Sequence, residues 1–115
     1  MGADCLFCRI VAGEIPATKV EEDEAVLAIR DINPQAPTHI LLISKAHIAS
    51  AQDLGKPDAS LLGSLFSMSA DLADREGIAR TGYRVVTNVG DDGGQSVDHL
   101  HFHLLGGRRF TWPPG

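Results

Sequence analysis

Three of the chain's five histidines, His99, His101 and His103, stand two residues apart in Val97-Asp98-His99-Leu100-His101-Phe102-His103-Leu104-Leu105. Apolar residues fill the gaps. In a strand, successive side chains point to opposite faces, so this spacing puts the imidazoles on one face and Leu100, Phe102 and Leu104 on the other. At a rise of about 3.3 Å per residue, neighbouring imidazoles start about 6.6 Å apart. Such a strand, anchored by its apolar back, can hold a nucleophile, a base or a metal ligand in place. The bland alternative is a half-buried strand with a His-rich polar face, and three histidines in register weigh against it.

The preceding segment, Asn88-Val89-Gly90-Asp91-Asp92-Gly93-Gly94-Gln95-Ser96, is rich in donors. Paired glycines let backbone N–H groups approach an anion, and Gln95 and Ser96 add amide and hydroxyl donors. Gly-Gly after acidic residues is also an ordinary hairpin loop. Directly ahead of three aligned imidazoles it fits a phosphate cradle, and imidazole can attack phosphorus and leave again. Cys5-Leu6-Phe7-Cys8 has the spacing of half a tetrahedral zinc site, and equally that of two packed, reduced thiols.

The elements that must position these residues follow from pattern. Asp4 is placed to cap a short helix over Cys5 to Val11, stopped by Gly13 and Pro16. Thr18–Glu21 and Ala25–Arg30 read as strands around an acidic turn at Glu22-Asp23-Glu24. Asn33–Pro37 is a loop with two prolines, and His39–Ser44 is so apolar that it belongs at the centre of a sheet. Lys45–Leu54 reads as a short helix or turn. Asp58 caps the longest helix, running to about Glu76, with Leu61, Leu65, Met68 and Leu72 on its buried side and Gly77 as its stop. Tyr83–Asn88 is a fourth strand and His99–Leu105 a fifth. Strands in hairpin order with one long helix predict an α+β domain on an antiparallel sheet.

At 115 residues the chain reads as one domain, 1–115, with a tail from about 107 to 115. A net charge of −5 argues against a broad nucleic-acid footprint, though not against a small anionic ligand. No apolar stretch reaches membrane-spanning length and no signal layout opens the chain, so a cytoplasmic location and no membrane partner are expected.

The pattern His99-Leu100-His101-Phe102-His103-Leu104-Leu105 resembles the signature of the histidine triad superfamily. Asp31-Ile32-Asn33-Pro34-Gln35-Ala36-Pro37-Thr38-His39, Asp92-Gly93-Gly94-Gln95-Ser96-Val97, Leu105-Gly106-Gly107-Arg108 and Trp112-Pro113-Pro114-Gly115 are similar to its Hint branch. The resemblance spans Cys5 to Gly115. It implies a five-stranded sheet, joined with a second copy into ten strands in a homodimer. The implied activity is cleavage of purine nucleoside 5′-phosphoramidates through a nucleotidyl-histidine on His101. Dinucleoside polyphosphate hydrolysis, or nucleotide binding with incidental turnover, stands as the alternative.

By the same resemblance, His103 and Ser96 hydrogen-bond the phosphate and leaving group, and His39 supports them. Asp31 accepts the ribose hydroxyls, with capping of its own turn as the alternative. Asn88 and Gly94 contact the phosphate. Phe7, Ile10, Ile29, Ile32 and Leu41 surround the base, with ordinary core packing the competing role, above all for Ile10 and Leu41. Cys5, Cys8, His47 and His99 would hold a structural Zn2+, and no organic cofactor is implied. Asp98 departs from the family, where an aromatic residue is common; its carboxylate either raises a neighbouring imidazole's pKa or faces solvent.

Overall fold

The computed structural model describes residues 4–115. Five strands form one antiparallel sheet: β1 (Lys19–Glu22), β2 (Val26–Arg30), β3 (Thr38–Ser44), β4 (Tyr83–Val86) and β5 (His101–Gly106). Their spatial order is β1-β2-β3-β5-β4. The hairpin order therefore holds from β1 to β3, after which β5 enters between β3 and β4. Two helices accompany the sheet, α1 (Leu6–Val11) and α2 (Ala59–Arg75).

Strand β3 is buried along its whole length because both faces of the sheet are covered there. Ile40 and Leu42 join Val26, Ala28, Phe102 and Leu104 against Leu65, Met68 and Leu72 of α2. Leu41 and Ile43 join Leu27 and Ile29 against Phe7 of α1. A strand covered on both sides reads as an unbroken apolar run, which is why Thr38–Ser44 lacks polar alternation.

Both expected helix caps differ from expectation. Cys5, not Asp4, is the N-cap of α1, and its Sγ accepts from Cys8 N–H at 3.4 Å. Asp58 does precede α2, but its carboxylate reaches back to accept from Gly55 N–H at 2.9 Å and makes no cap bond into the helix. Leu65, Met68 and Leu72 are buried as expected, with Leu61 only partly so. Lys45–Leu54 holds a single 3₁₀ turn, Ala51–Asp53, capped by the Ser50 hydroxyl.

Two strand limits move in a way that matters for the site. The β5 ladder starts at the pairing of His101 with Ile43, so His99 lies outside the strand. Its neighbour is tied to the segment after β3 instead: Leu100 N–H donates to Ile48 O at 2.6 Å, and Ser44 N–H to Leu100 O at 3.2 Å. β4 stops at Val86, and the Thr87 hydroxyl donates to His101 O at 2.9 Å. Among the described residues no helix is long and apolar enough to cross a membrane.

Candidate active site

On the α1 side of the sheet, β5 presents His101 opposite Ile43 and His103 opposite Leu41. His101 is buried, with the edge of Phe7 packed 4.9 Å from its ring centre. Its Nδ1 lies 2.6 Å from the backbone oxygen of His99. A carbonyl oxygen only accepts, so Nδ1 carries a proton and Nε2 of the neutral ring keeps its lone pair. A turn of backbone has thus set the tautomer that leaves a nucleophilic nitrogen free.

A second chain of hydrogen bonds sets His103. Gln35 N–H donates to His39 Nδ1 at 3.0 Å, which leaves the proton of His39 on Nε2. That nitrogen is 2.9 Å from His103 Nδ1 and 3.4 Å from Asp31 Oδ2. His103 Nδ1 accepts, so its Nε2 carries an N–H donor. Burial, with His101 and His39 adding to it, pushes His103 down to about 4. Burial also pushes His39 down, against the pull of Asp31. Both rings are neutral near pH 7, as this chain of donors requires. Asp31, His39 and His103 lie close enough to suggest a metal site. The proton that Gln35 places on His39 Nε2 makes that nitrogen a donor and the trio a proton-bonded array.

The Cys/His cluster is different. Cys5 Sγ is 3.1 Å from His99 Nδ1, Cys8 Sγ is 3.2 Å from His47 Nδ1, and the two Nδ1 atoms are 3.1 Å apart. All four donor atoms lie within 4.8 Å of one another. Tetrahedral zinc with Zn–S of about 2.3 Å and Zn–N of about 2.0 Å places its donors about 3.3 to 3.8 Å apart. His99 Nε2–H donates to Ser44 O at 2.6 Å, which leaves Nδ1 as the lone pair facing the thiols. Burial pushes His99 down and Cys8 up, so without a cation these two are neutral imidazole and protonated thiol. These residues fit zinc.

Between α1 and the sheet lies a cavity of about 290 Å³. Phe7, Ile10, Ile29, Ile32, Leu41, Asp31, Ser96, His101 and His103 all line it. Leu6, Ile15, Pro16, Ala17, Arg30 and Val97 line it too. On the other side of His103 a larger cleft of about 880 Å³ runs past His39, Asn88, Gly93, Arg84 and Arg108 to the tail. His103 borders both.

The chain matches the HIT domain model over residues 12–110. It belongs to the HIT family. It is 50% identical over 96% of its length to a 14 kDa zinc-binding protein of Zea mays, covering 87% of that protein. It is 44% identical over 94% of its length to the purine nucleoside phosphoramidase of Escherichia coli K12, covering 91% of it. The crystal structure of a HIT family hydrolase from Legionella pneumophila superposes with a TM-score of 0.95 at 55% identity, with 97% of this chain and 100% of that one covered.

The HIT residues expected to act together do not all meet in one place. His99 turns away to the thiols, while its backbone oxygen serves His101. Asn88 lines the larger cleft, and Gly94 stands exposed in the loop at φ 77°. Gln95 is committed to the loop itself, and is not a phosphate donor. Its amide donates to Ala49 O at 2.7 Å and Val97 O at 3.0 Å, and its oxygen accepts from Gly90 N–H at 3.0 Å. Asp98 is exposed beside Cys5 and His47; His99 moves down through burial, and not up through that carboxylate. What sequence reasoning missed in this HIT site is mostly apolar lining and one backbone donor, Gln35 N–H. Only Ile15-Pro16-Ala17, an apolar run just past α1, offered a signal.

Proposed function

We propose that this chain, read as one domain over 1–115, hydrolyses purine nucleoside 5′-phosphoramidates through a covalent intermediate on His101. The observation that carries this is the bond from His101 Nδ1–H to His99 O, which commits Nδ1 to the backbone and leaves Nε2 as the uncommitted nitrogen of a ring that lines the cavity. Nε2 attacks the α-phosphorus, the phosphorus–nitrogen bond breaks, and the amine leaves with a proton taken from solvent. Water then attacks the same phosphorus, the bond to Nε2 breaks to release the nucleoside monophosphate, and the proton that the water gives up returns to solvent. His103 Nε2–H and the Ser96 hydroxyl donate to the phosphate oxygens as charge builds on them. Asp31 takes the ribose hydroxyls, and the apolar slot takes the base. The kinship with a purine nucleoside phosphoramidase and with HIT family hydrolases supports this reading.

Cys5, Cys8, His47 and His99 would hold zinc, which with four protein ligands supplies a structural cross-link between α1 and the entry to β5. A homodimer is proposed as well. β4 is an edge strand with Tyr83 exposed, and Leu62 and Phe66 stand exposed on α2, so a second copy pairing along β4 gives ten continuous strands.

Turnover of adenosine phosphoramidate by His101→Ala tests the mechanism. Turnover should fall by orders of magnitude while AMP affinity stays near that of the wild type. Unchanged turnover refutes the nucleophile. Negligible wild-type turnover with intact AMP binding refutes the enzyme and leaves a nucleotide-binding protein.

A further inference from the structure

Glu76 follows the last turn of α2, on the face of the sheet opposite the cavity. Its carboxylate takes both prongs of Arg30, Nη1 at 2.6 Å and Nη2 at 2.8 Å, and accepts from the Thr38 hydroxyl at 3.4 Å. Arg30 and Thr38 immediately precede Asp31 and His39. Strand alternation makes that adjacency meaningful. Arg30 shares its parity with Val26 and Ala28, and Thr38 with Ile40 and Leu42, all in the cluster against α2. Asp31 shares its parity with Leu27 and Ile29, and His39 with Leu41 and Ile43, in the cluster against Phe7. One carboxylate therefore grips the end of β2 and the start of β3 from behind, one residue from Asp31 and His39, although Arg30 at the end of β2 also borders the cavity.

The grip falls where the sheet would otherwise fray. Asp31 N–H donates to His39 O at 3.0 Å, and beyond that rung Ile32 is fully exposed and the chain enters the proline loop. Asp31 Oδ1 accepts from Asn33 N–H at 2.8 Å, while Oδ2, 3.4 Å from His39 Nε2, takes no backbone donor. The aim of that oxygen depends on the backbone of this last rung.

We propose that Arg30 and Glu76 are positioning residues for the ribose site: their ion pair holds the last rung between β2 and β3 and so aims Asp31 at the ribose hydroxyls. The proposal rests on the reading of Asp31 as the ribose acceptor. Neither member of the pair needs to touch the reacting phosphorus. A lock acting through Asp31 is felt by ligands that carry ribose hydroxyls and not by ligands that lack them.

Calorimetric binding of AMP and of 2′,3′-dideoxy-AMP to the wild type, Asp31→Asn, Glu76→Gln and Arg30→Lys tests this. Hydrogen bonds to a charged acceptor predict that the wild type prefers AMP by about tenfold or more, and that Asp31→Asn abolishes the preference. Glu76→Gln should cut the preference to about threefold or less by weakening AMP alone, with dideoxy-AMP affinity kept within about twofold. Arg30→Lys, which keeps the charge but loses the second prong, should fall between, and carries the same test should Glu76→Gln not yield folded protein. Equal weakening of both ligands, or an unchanged preference in Glu76→Gln, overturns the proposal. A preference abolished by Asp31→Asn yet untouched by Glu76→Gln refutes the ion pair's role alone. No preference in the wild type refutes the ribose reading, and the proposal with it.

Discussion

His103 should set much of this protein's sensitivity to acid, and the size of the effect follows from its surroundings. Its ring is held neutral down to about 4, against 6.5 for an ordinary histidine, because burial and two neighbouring imidazoles oppose a charge. Below pH 6.5 the unfolded chain takes up a proton at this position that the folded chain refuses. Stability is therefore complete above 6.5 and falls as pH drops toward 4, below which both states are protonated and the loss levels off. At pH 4.5 the linkage costs up to about 2.5 kcal/mol, or about 10 °C in Tm for a chain of this size. The assay is thermal or urea unfolding at pH 7 and pH 4.5 for the wild type and for His103→Asn. Asparagine keeps an acceptor near Nδ1 for His39 and cannot titrate. The variant should lose less stability than the wild type across that interval, by about the same 2.5 kcal/mol. Equal losses in the two proteins would refute the reasoning, since any zinc released by acid is common to both.

Protein purified without added metal should carry close to one zinc per chain by elemental analysis, and Cys8→Ser should lose it together with several degrees of Tm. Gly93→Ala should weaken AMP binding measurably, because a Cβ there would sit 2.3 Å from Val89 O and force the loop open. Titration of the variant with AMP checks it. Phe102→Ala removes a buried ring that packs edge-on against Phe66 at 5.1 Å, and should cost about 3–5 kcal/mol in urea unfolding.

The sheet and the histidine face of the candidate site were legible because their signals are local. Thr38–Ser44 is apolar enough to name a central strand, and two-residue spacing places His101 and His103 on one face without reference to the rest of the chain. The departures all come from contacts between distant segments. His99 leaves the ladder because Ile48 and Ser44, about fifty residues earlier, claim the backbone around it. Gln95 looks like a phosphate donor by type, but Ala49 offers its amide a nearer acceptor. Asp58 has the right residue type and position for a cap, yet a free N–H at Gly55 draws its carboxylate backward. The Arg30–Glu76 pair joins residues 46 apart and has no motif. The tautomer of His39 depends on a backbone N–H, which every residue but proline possesses and which therefore leaves no trace in residue type.

The placement of β5 between β3 and β4 has a consequence for how the protein comes into being. The strand that bears His101 is the last of the five to be synthesised and the one that joins the two halves of the sheet, pairing six residues with β3 and four with β4. A nascent chain that has reached only Val86 has β3 and β4 both waiting as bare edges, with nothing between them. Closure needs contacts across more than fifty residues, the kind that form late. Assembly of the candidate site and completion of the sheet thus arrive in one event, and a partly made chain lacks His101 and His103 altogether.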